Sequence, residues 1–200
     1  VCWMKRSDAR DVLISNSGKD IFSLPSKSII GTSSIRRRSQ ILNVRKDLSI
    51  KLLRGNVDTR IKKLKNEEYD AIILSLAGLQ RLKLQHLVTQ ILEPDIFLPA
   101  ACQGAIGIQG MSDRGLEEFF SNINHDDTQL SCSSEREILK IINANCNSPV
   151  SVFSKIHDDE MFISFQLYDH DGTELFKKNI SGNKNNYVNL TKELGNEIFH

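Results

Sequence analysis

Several features that would assign this 200-residue chain to a familiar class are scarce or missing. It contains no apolar run of roughly 18 residues, the length a helix needs to cross a bilayer. The opening stretch VCWMKRSD lacks the apolar segment and cleavage site of a secretory signal peptide. We therefore expect a globular protein of the cytoplasm, with a plastid as the alternative if a transit peptide has been removed.

An excess of charge of either sign is also lacking. Lys and Arg total 26 against 25 Asp and Glu, so the formal net charge is only +1, and aromatic residues make up 6% of the chain. Proteins that bind nucleic acid or anionic membranes usually carry a strong excess of positive charge. We therefore expect neither nucleic acid nor membrane as a partner, and any basic site must be local.

Metal-binding patterns are absent as well. The four cysteines are Cys2, Cys102, Cys132 and Cys146, and no two of them form a CxxC pair. None has zinc-ligand spacing with the five scattered histidines. The sequence therefore predicts no metal site, and reduced thiols are expected.

The first half of the chain repeats one pattern three times between residues 26 and 90: a short apolar run, a turn, and a helical stretch. The apolar runs are Ser28–Ile30, Leu48–Leu53 and Tyr69–Leu74. The helical stretches are Ile35 to Arg45, Val57 to Asn66 and Leu79 to Thr89. Strands that alternate with helices predict an α/β unit with a mostly parallel sheet, which binds ligands beyond the carboxyl ends of its strands.

The second half has a different pattern, which begins after Pro94 and Pro99 end the helical periodicity. A helix is predicted from about Thr128, and a final helix over Tyr187–Phe199. Between them lie three alternating runs, Val150–Ile156, Met161–Tyr168 and Thr173–Ile180. These predict a small α+β domain with a three-stranded antiparallel sheet.

Arginines gather where the predicted strands end. The stretch GTSSIRRRSQ opens a helix with three of them, although cations at a helix amino terminus cost roughly 0.3–1 kcal/mol each. The set comprises Arg36, Arg37, Arg38, Arg54, Arg60 and Arg81. Each one alone is readily explained as part of a solvated helix face, but together they predict a site for an anion with several carboxylates. Phosphate stays open, although LRGNVDTR lacks the GK[ST] of a Walker A loop.

Cys146 is the second candidate residue. It lies in INANCNSPV, a polar turn between a predicted helix and a predicted strand, where a thiol is accessible. No histidine is near in sequence to act as a base, so a protease-like dyad is not indicated. The other three cysteines are interpreted as structural.

Five motifs in this order and spacing carry a family resemblance over essentially the whole chain. They are GTSSIRRRSQ, LRGNVDTRIKKL, YDAIILSLAGLQRL, LPAACQGAIGI and SEREILKIINANCNSPV. The chain resembles the hydroxymethylbilane synthases, also called porphobilinogen deaminases. Members of that family are usually monomers that join four porphobilinogen molecules head to tail, with release of ammonia, in tetrapyrrole and haem biosynthesis.

The resemblance implies specific site residues. A dipyrromethane cofactor would be attached through a thioether to Cys146, and its acetate and propionate groups would be bound by arginines. The residues that match the family's cofactor- and substrate-binding positions are Arg36, Arg37, Arg54, Arg60, Arg81, Thr32, Ser33, Ser34, Gln103 and Gly104. Arg38 falls outside the matching positions.

The resemblance also implies a fold with two lobes like those of type II periplasmic binding proteins and a third domain that carries the cofactor cysteine. Residues 8–98 would form the second domain and 127–200 the third, while 1–7 and 99–122 would belong to the first. The family's early basic motif and its catalytic Lys-Asp pair have no match here. If these residues were the whole molecule, we would expect little turnover, and the alternatives are an anion-binding module or an inactive fragment of the same fold.

Overall fold

The fold is described from a computed structural model that covers residues 1–111, 115–145 and 147–198. Within these residues the strands are β1 (Cys2–Trp3), β2 (Asp11–Ser15), β3 (Ile29–Gly31), β4 (Ser49–Lys51), β5 (Ala71–Ser75), β6 (Gln90–Leu92), β7 (Gly107–Ile108), β8 (Val150–His157), β9 (Glu160–Tyr168) and β10 (Glu174–Asn183). The helices are α1 (Ile35–Val44), α2 (Val57–Lys65), α3 (Leu76–Arg81), α4 (Glu117–Ile123), α5 (Asp126–Ile141) and α6 (Tyr187–Ile198). None of the helices so described is long and apolar enough to cross a membrane.

Five strands form a mixed sheet in the order β4-β3-β5-β2-β6. Strand β3 is parallel to both β4 and β5, as the sequence predicts, whereas β2 is antiparallel to β5 and β6. In the β2–β5 register Asp11 lies opposite Ser75, the last residue of β5. Strand β2 therefore begins at the edge of the sheet where β5 and the strands parallel to β5 end.

Apolar side chains cover both faces of this sheet. The first four residues of β5 are fully or almost fully buried, as expected for a central strand with packing on either side. On one face Ile72 packs in a cluster with residues of α2 and α3, and on the other Ile73 packs with Ile41 of α1. The hydrophobic effect thus fixes the central strands and leaves the strand ends to polar residues.

The third predicted helix, Leu79–Thr89, is wrong in both its bounds. Helix α3 starts directly after β5 at Leu76 and ends at Arg81. Lys83 adopts a left-handed φ of 58°, and the N–H groups of Lys83 and Leu84 donate to the carbonyls of Gln80 and Leu79 at 3.0 and 2.8 Å. This pair of hydrogen bonds is a Schellman motif, which ends a helix although the sequence stays apolar.

The C-terminal part contains the predicted three-stranded antiparallel sheet, in the order β10-β9-β8. Helices α5 and α6 pack on one face of it through Ile138 and Leu194, which contact a cluster that includes Val152 and Phe165. The meander and both flanking helices are confirmed, and each observed strand starts or ends within three residues of its predicted bounds.

The other face of this sheet contacts the α/β part. Gln40 of α1 is fully buried and its Nε2 donates to Leu98 O and to Ser151 Oγ, both at 3.2 Å. Phe153 of β8 packs against Ala9 and Leu98. Strands β1 and β7 pair with each other as a separate two-stranded sheet. The division of the chain into the domains predicted above stays a prediction.

The turn between β9 and β10 touches α1 at Gly172. Its φ is 90°, and a Cβ there would lie 2.6 Å from Leu42 Cβ and 2.7 Å from Asn43 N. Gly18, in the turn after β2, also has a left-handed φ of 70°, but a Cβ there would meet nothing within 4 Å. Both positions strain a residue with a Cβ through their backbone, but only Gly172 also has no room for one. Comparing the two therefore distinguishes the effect of backbone strain from that of close packing.

We expect Gly172→Ala to destabilise the protein more than Gly18→Ala. Gly18→Ala should cost about 1–2 kcal/mol for the left-handed backbone alone. Gly172→Ala should add about 1–3 kcal/mol, because the methyl group forces the turn away from α1. Urea unfolding of both variants beside the parent protein measures this, and equal losses would contradict the close approach of turn and helix.

Candidate functional site

The loops that follow β3 and β4 begin two helices at the same edge of the mixed sheet. Ser34 caps α1 by accepting a hydrogen bond from Arg37 N at 3.3 Å, and Asn56 caps α2 by accepting one from Thr59 N at 2.9 Å. Ser and Asn are among the residues preferred at helix N-caps. They hold Arg36 and Arg37 in the first turn of α1, and Arg60 directly after the first turn of α2.

Asp11, the first residue of β2, lies between two of the arginines. Its side chain is fully buried. Arg36 Nη2 donates to Oδ2 at 2.7 Å, while Arg37 Nη2 and Nε donate to Oδ1 at 2.7 and 3.1 Å. Two guanidinium groups therefore share one buried carboxylate at the edge where β3, β4 and β5 end.

Backbone carbonyls and Gln103 complete this arrangement. Arg36 Nη1 donates to Leu98 O at 2.7 Å, and Arg37 Nη1 donates to Ile73 O at 3.2 Å. Gln103 Nε2 donates to Asp11 Oδ1 at 2.8 Å and to Ala9 O at 2.5 Å. The structure thus brings Gln103 beside Arg36 and Asp11.

Gly104 allows the loop that carries Gln103 to pack closely. Its φ is 82°, and a Cβ at this position would lie 2.6 Å from Ser7 O. The carbonyl of Gly104 also accepts a hydrogen bond from Ser7 N at 2.9 Å. Any larger residue would push the loop away from Asp8 and Ser7, and with it Gln103.

The electrostatics of Asp11 favour its charged form. Burial alone would raise the pKa of its carboxyl group, but the charges of Arg36 and Arg37 and their hydrogen bonds outweigh burial and lower the pKa to about 2. Burial lowers the pKa of Arg36, and Asp11 opposes that shift. Because arginine remains protonated in proteins, the three side chains carry one negative and two positive charges at neutral pH.

Arg60 adds a positive charge that has no acidic partner in the part of the chain that the structure describes. Its Nε donates to Gly55 O at 2.7 Å, and the side chain is half-buried. Burial and then the positive charge of Arg37 lower the pKa of Arg60. Among the described residues no carboxylate lies within 4.0 Å of Arg54, Arg60 or Arg81.

The remaining predicted site residues fall into different settings. Thr32 is buried and its Oγ1 accepts a hydrogen bond from Ser34 N at 3.2 Å, whereas Ser33 is exposed. Arg54 and Arg81 are exposed, and Arg81 is the last residue of α3 and not at the start of a helix as predicted. Cys146 lies outside the described residues.

Sequence reasoning gave no role to Asp11. The only local signal is an acidic residue directly before the apolar triplet Val12-Leu13-Ile14. Such a triplet is too short to identify a strand by its periodicity. The partners of Asp11 are 25 and 26 residues away in sequence.

Comparison with known protein families agrees with the resemblance seen in the motifs. The model of the porphobilinogen deaminase dipyromethane cofactor binding domain matches residues 1–117, and that of the porphobilinogen deaminase C-terminal domain matches residues 129–200. The chain belongs to the porphobilinogen deaminase family. The first match includes Arg36, Arg37, Arg54 and Arg60, which follow β3 and β4 and which we call the arginine edge.

Curated relatives named porphobilinogen deaminase support the same assignment. The protein from Clostridium beijerinckii is 37% identical over 97% of this chain and 66% of its own length, and that from Clostridium kluyveri is 38% identical over 96% and 66%. The protein from Campylobacter jejuni is 37% identical over 97% of this chain and 64% of its own length. The chain thus spans about two thirds of the length of the relatives it matches.

We expect Asp11→Asn to destabilise the protein by about 3–5 kcal/mol at pH 7, because it leaves the buried Arg36 and the partly buried Arg37 without their anion. The pKa of Asp11 is about 2 in the fold against 3.8 ordinarily. Its stabilisation is therefore present above pH 4 and is lost as the pH falls through 2. Urea unfolding of the variant and the parent protein at pH 7 and near pH 2 should show that the difference in their free energies of unfolding is smaller at acid pH.

Asp95→Asn is the control, since Asp95 is exposed and forms no ion pair among the described residues. It should change the free energy of unfolding by less than about 0.5 kcal/mol at either pH. A deficit for Asp11→Asn that does not depend on pH would contradict the charged pairing.

Proposed function

We propose that the protein to which this chain belongs is a hydroxymethylbilane synthase, a transferase that joins porphobilinogen units and releases ammonia. The observation that carries the proposal is the excess of guanidinium groups at the carboxyl ends of β3, β4 and β5. Family membership supplies the reaction class, and the arginine edge supplies a place for its substrate.

The charges at this edge favour a ligand with several carboxylates. Asp11 neutralises at most one of the charges on Arg36 and Arg37, and Arg60 is desolvated beside Arg37 with no described carboxylate partner. An anion bound next to Arg60 would offset the electrostatic cost of burying its positive charge. Charge-assisted hydrogen bonds of this kind contribute about 1.5–3 kcal/mol each.

A dipyrromethane cofactor fits this donor set, because two pyrrole rings with an acetate and a propionate each carry four carboxylates. When bound, it supplies the primer on which the tetrapyrrole is assembled. In our proposal Cys146 holds it through a thioether. Arg54, Arg60 and Arg81, which have no described ion-pair partner, are assigned to carboxylates of cofactor or substrate.

The other residues of the edge are assigned by their contacts. Arg36 and Arg37 are fixed by Asp11, so any ligand meets guanidinium groups that are already oriented. Thr32, Ser33 and Ser34 contribute polar groups of the loop that begins α1, and Gln103, followed by Gly104, lies beside Asp11 and Arg36.

Asp11 is not assigned the proton chemistry of ammonia release. Both of its oxygens already accept hydrogen bonds from arginine, and a pKa of about 2 makes it a poor proton donor at neutral pH. The family aspartate that assists this step has no match in the chain, so the acid is expected from elsewhere in the enzyme.

We further propose that the mixed sheet is a lobe of the type II periplasmic-binding-protein kind, formed by residues 8–98. Residues 1–7 and 99–122 would belong to an adjoining lobe and 127–200 to the cofactor-bearing domain. The antiparallel strand within an otherwise parallel sheet supports a lobe of this kind. A monomeric protein of the cytoplasm remains our expectation.

The rival hypothesis is an anion-binding module or an inactive fragment of the same fold. The arginine edge fits a bound anion with or without chemistry, so it does not separate the two. Cys146 does, because a binding module has no need of a thiol that carries a covalent primer.

We expect the protein, expressed with any segment that precedes Val1 naturally, to gain the mass of two pyrrole units when it is made with porphobilinogen available. Intact-mass spectrometry measures this gain, and Cys146→Ala should lack it. Cys2→Ala is the control and should load normally. An unmodified mass in protein that is folded by circular dichroism would favour the rival hypothesis.

We expect Arg54→Gln to lower kcat/KM for porphobilinogen by about 10- to 100-fold, the loss of one charged hydrogen bond. Arg54 is exposed and has no described ion pair, so the fold should not suffer. Arg36 is unsuitable for this test, because its substitution also removes contacts to Asp11 and Leu98. Arg38→Gln, an exposed neighbour outside the matching positions, should stay within about twofold; equal losses in both variants would show a general charge effect.

A further inference from the structure

Two thiols meet close to the arginine edge, although their spacing in sequence gives no sign of it. Cys102 belongs to the loop that carries Gln103, and Cys132 lies within α5. Their Sγ atoms and a carboxylate oxygen of Glu135 all lie within 4.8 Å of one another. Cys102 Sγ is also 3.7 Å from the carbonyl oxygen of Cys132.

The cluster is poorly suited to a metal ion, because Glu135 is already occupied. Its Oε1 accepts hydrogen bonds from Arg6 Nη1 at 2.6 Å and from Ser154 N at 2.7 Å. Its Oε2 accepts from Arg6 Nη2 at 3.2 Å and from Cys102 N at 2.5 Å. With the carboxylate saturated, only two sulfur ligands remain, which is fewer than a structural zinc site uses.

The two sulfurs are not equivalent. Cys132 is fully buried, whereas Cys102 is partly exposed. A hydrogen bond from Cys132 lowers the pKa of the Cys102 thiol against the opposing effect of burial, and the same contact raises the pKa of Cys132. Cys102 is therefore the sulfur that loses its proton first and the one that a small oxidant reaches.

We propose that Cys102 and Cys132 form a reversible intramolecular disulfide when the protein meets a peroxide. The Cys102 thiolate attacks one peroxide oxygen, the O–O bond breaks, and the departing hydroxide takes a proton to become water, which leaves a sulfenic acid on Cys102. The Cys132 sulfur then attacks Cys102 Sγ, an S–S bond replaces the S–O bond, and the proton of Cys132 leaves with the hydroxide as a second water. Two thiols are oxidised and one peroxide is reduced.

The movement that this bond requires is small. The two sulfurs must approach from at most 4.8 Å to about 2 Å. Cys102 lies in a loop, and rotation of its side chain with a shift of that loop shortens the distance without unwinding α5. Because Cys102 directly precedes Gln103, the shift acts on the residue whose amide donates to Asp11 Oδ1.

The disulfide would thus join the loop of Gln103 to the helix that precedes the C-terminal sheet. Its formation depends only on these thiols and is independent of the function proposed above. The cofactor assigned to Cys146 plays no part in it.

The experiment treats the reduced, folded protein with a modest excess of hydrogen peroxide, blocks the remaining thiols with an alkylating agent, and maps peptides by mass spectrometry without reduction. We expect a linked pair of peptides that contain Cys102 and Cys132, lighter by two hydrogen atoms than their sum and separated by dithiothreitol. Cys2→Ser should form the same linked pair. Cys102→Ser and, separately, Cys132→Ala should abolish it.

The two single variants also keep the test decisive if one of them folds poorly. In Cys102→Ser, which retains the buried Cys132, the thiol of Cys132 should resist peroxide at least tenfold longer than in the parent protein. The proposal is overturned if both thiols are recovered alkylated, if Cys102 is over-oxidised without a link, or if Cys132 is linked to a different cysteine.

Discussion

The buried carboxylate of Asp11 is the constraint on which the candidate site depends. A lone charge in such a place would be very costly, and Arg36 and Arg37 offset that cost from two sides. The same pairing removes most of the freedom of the two arginine side chains. A ligand that binds them does not have to order them first, which is a saving of about 0.5–1.5 kcal/mol for each side chain.

The direction of strand β2 explains why Asp11 lies at the site. Parallel strands bring their carboxyl ends, and hence the loops before α1 and α2, to one edge of the sheet. An antiparallel neighbour brings its first residue to that same edge, and the first residue of β2 is Asp11. Had β2 been parallel, Asp11 would lie at the opposite edge, and Arg36 and Arg37 would have no anion from this strand.

The sequence predicts those elements whose signals are local. Helices α1 and α2 begin within a residue of Ser34 and Asn56, because capping side chains act over three residues, and the C-terminal meander follows from alternation within each strand. The end of α3 was missed because it depends on one left-handed residue, Lys83, which no pattern marks. Asp11 and the pair Cys102 and Cys132 were missed because only the tertiary fold brings such distant residues together.

Two of the three arginines in GTSSIRRRSQ connect the fold to the anion binding that we propose. Cations in the first turn of a helix oppose its dipole, and α1 has no acidic residue in its first turn to compensate. Asp11 provides that compensation from another strand, but it does so for two arginines with a single charge. The remainder of the positive charge, together with that of Arg60, is unsatisfied within the described fold. Arg36 therefore supports the fold through Asp11, and in the function we propose the same guanidinium group faces the anion.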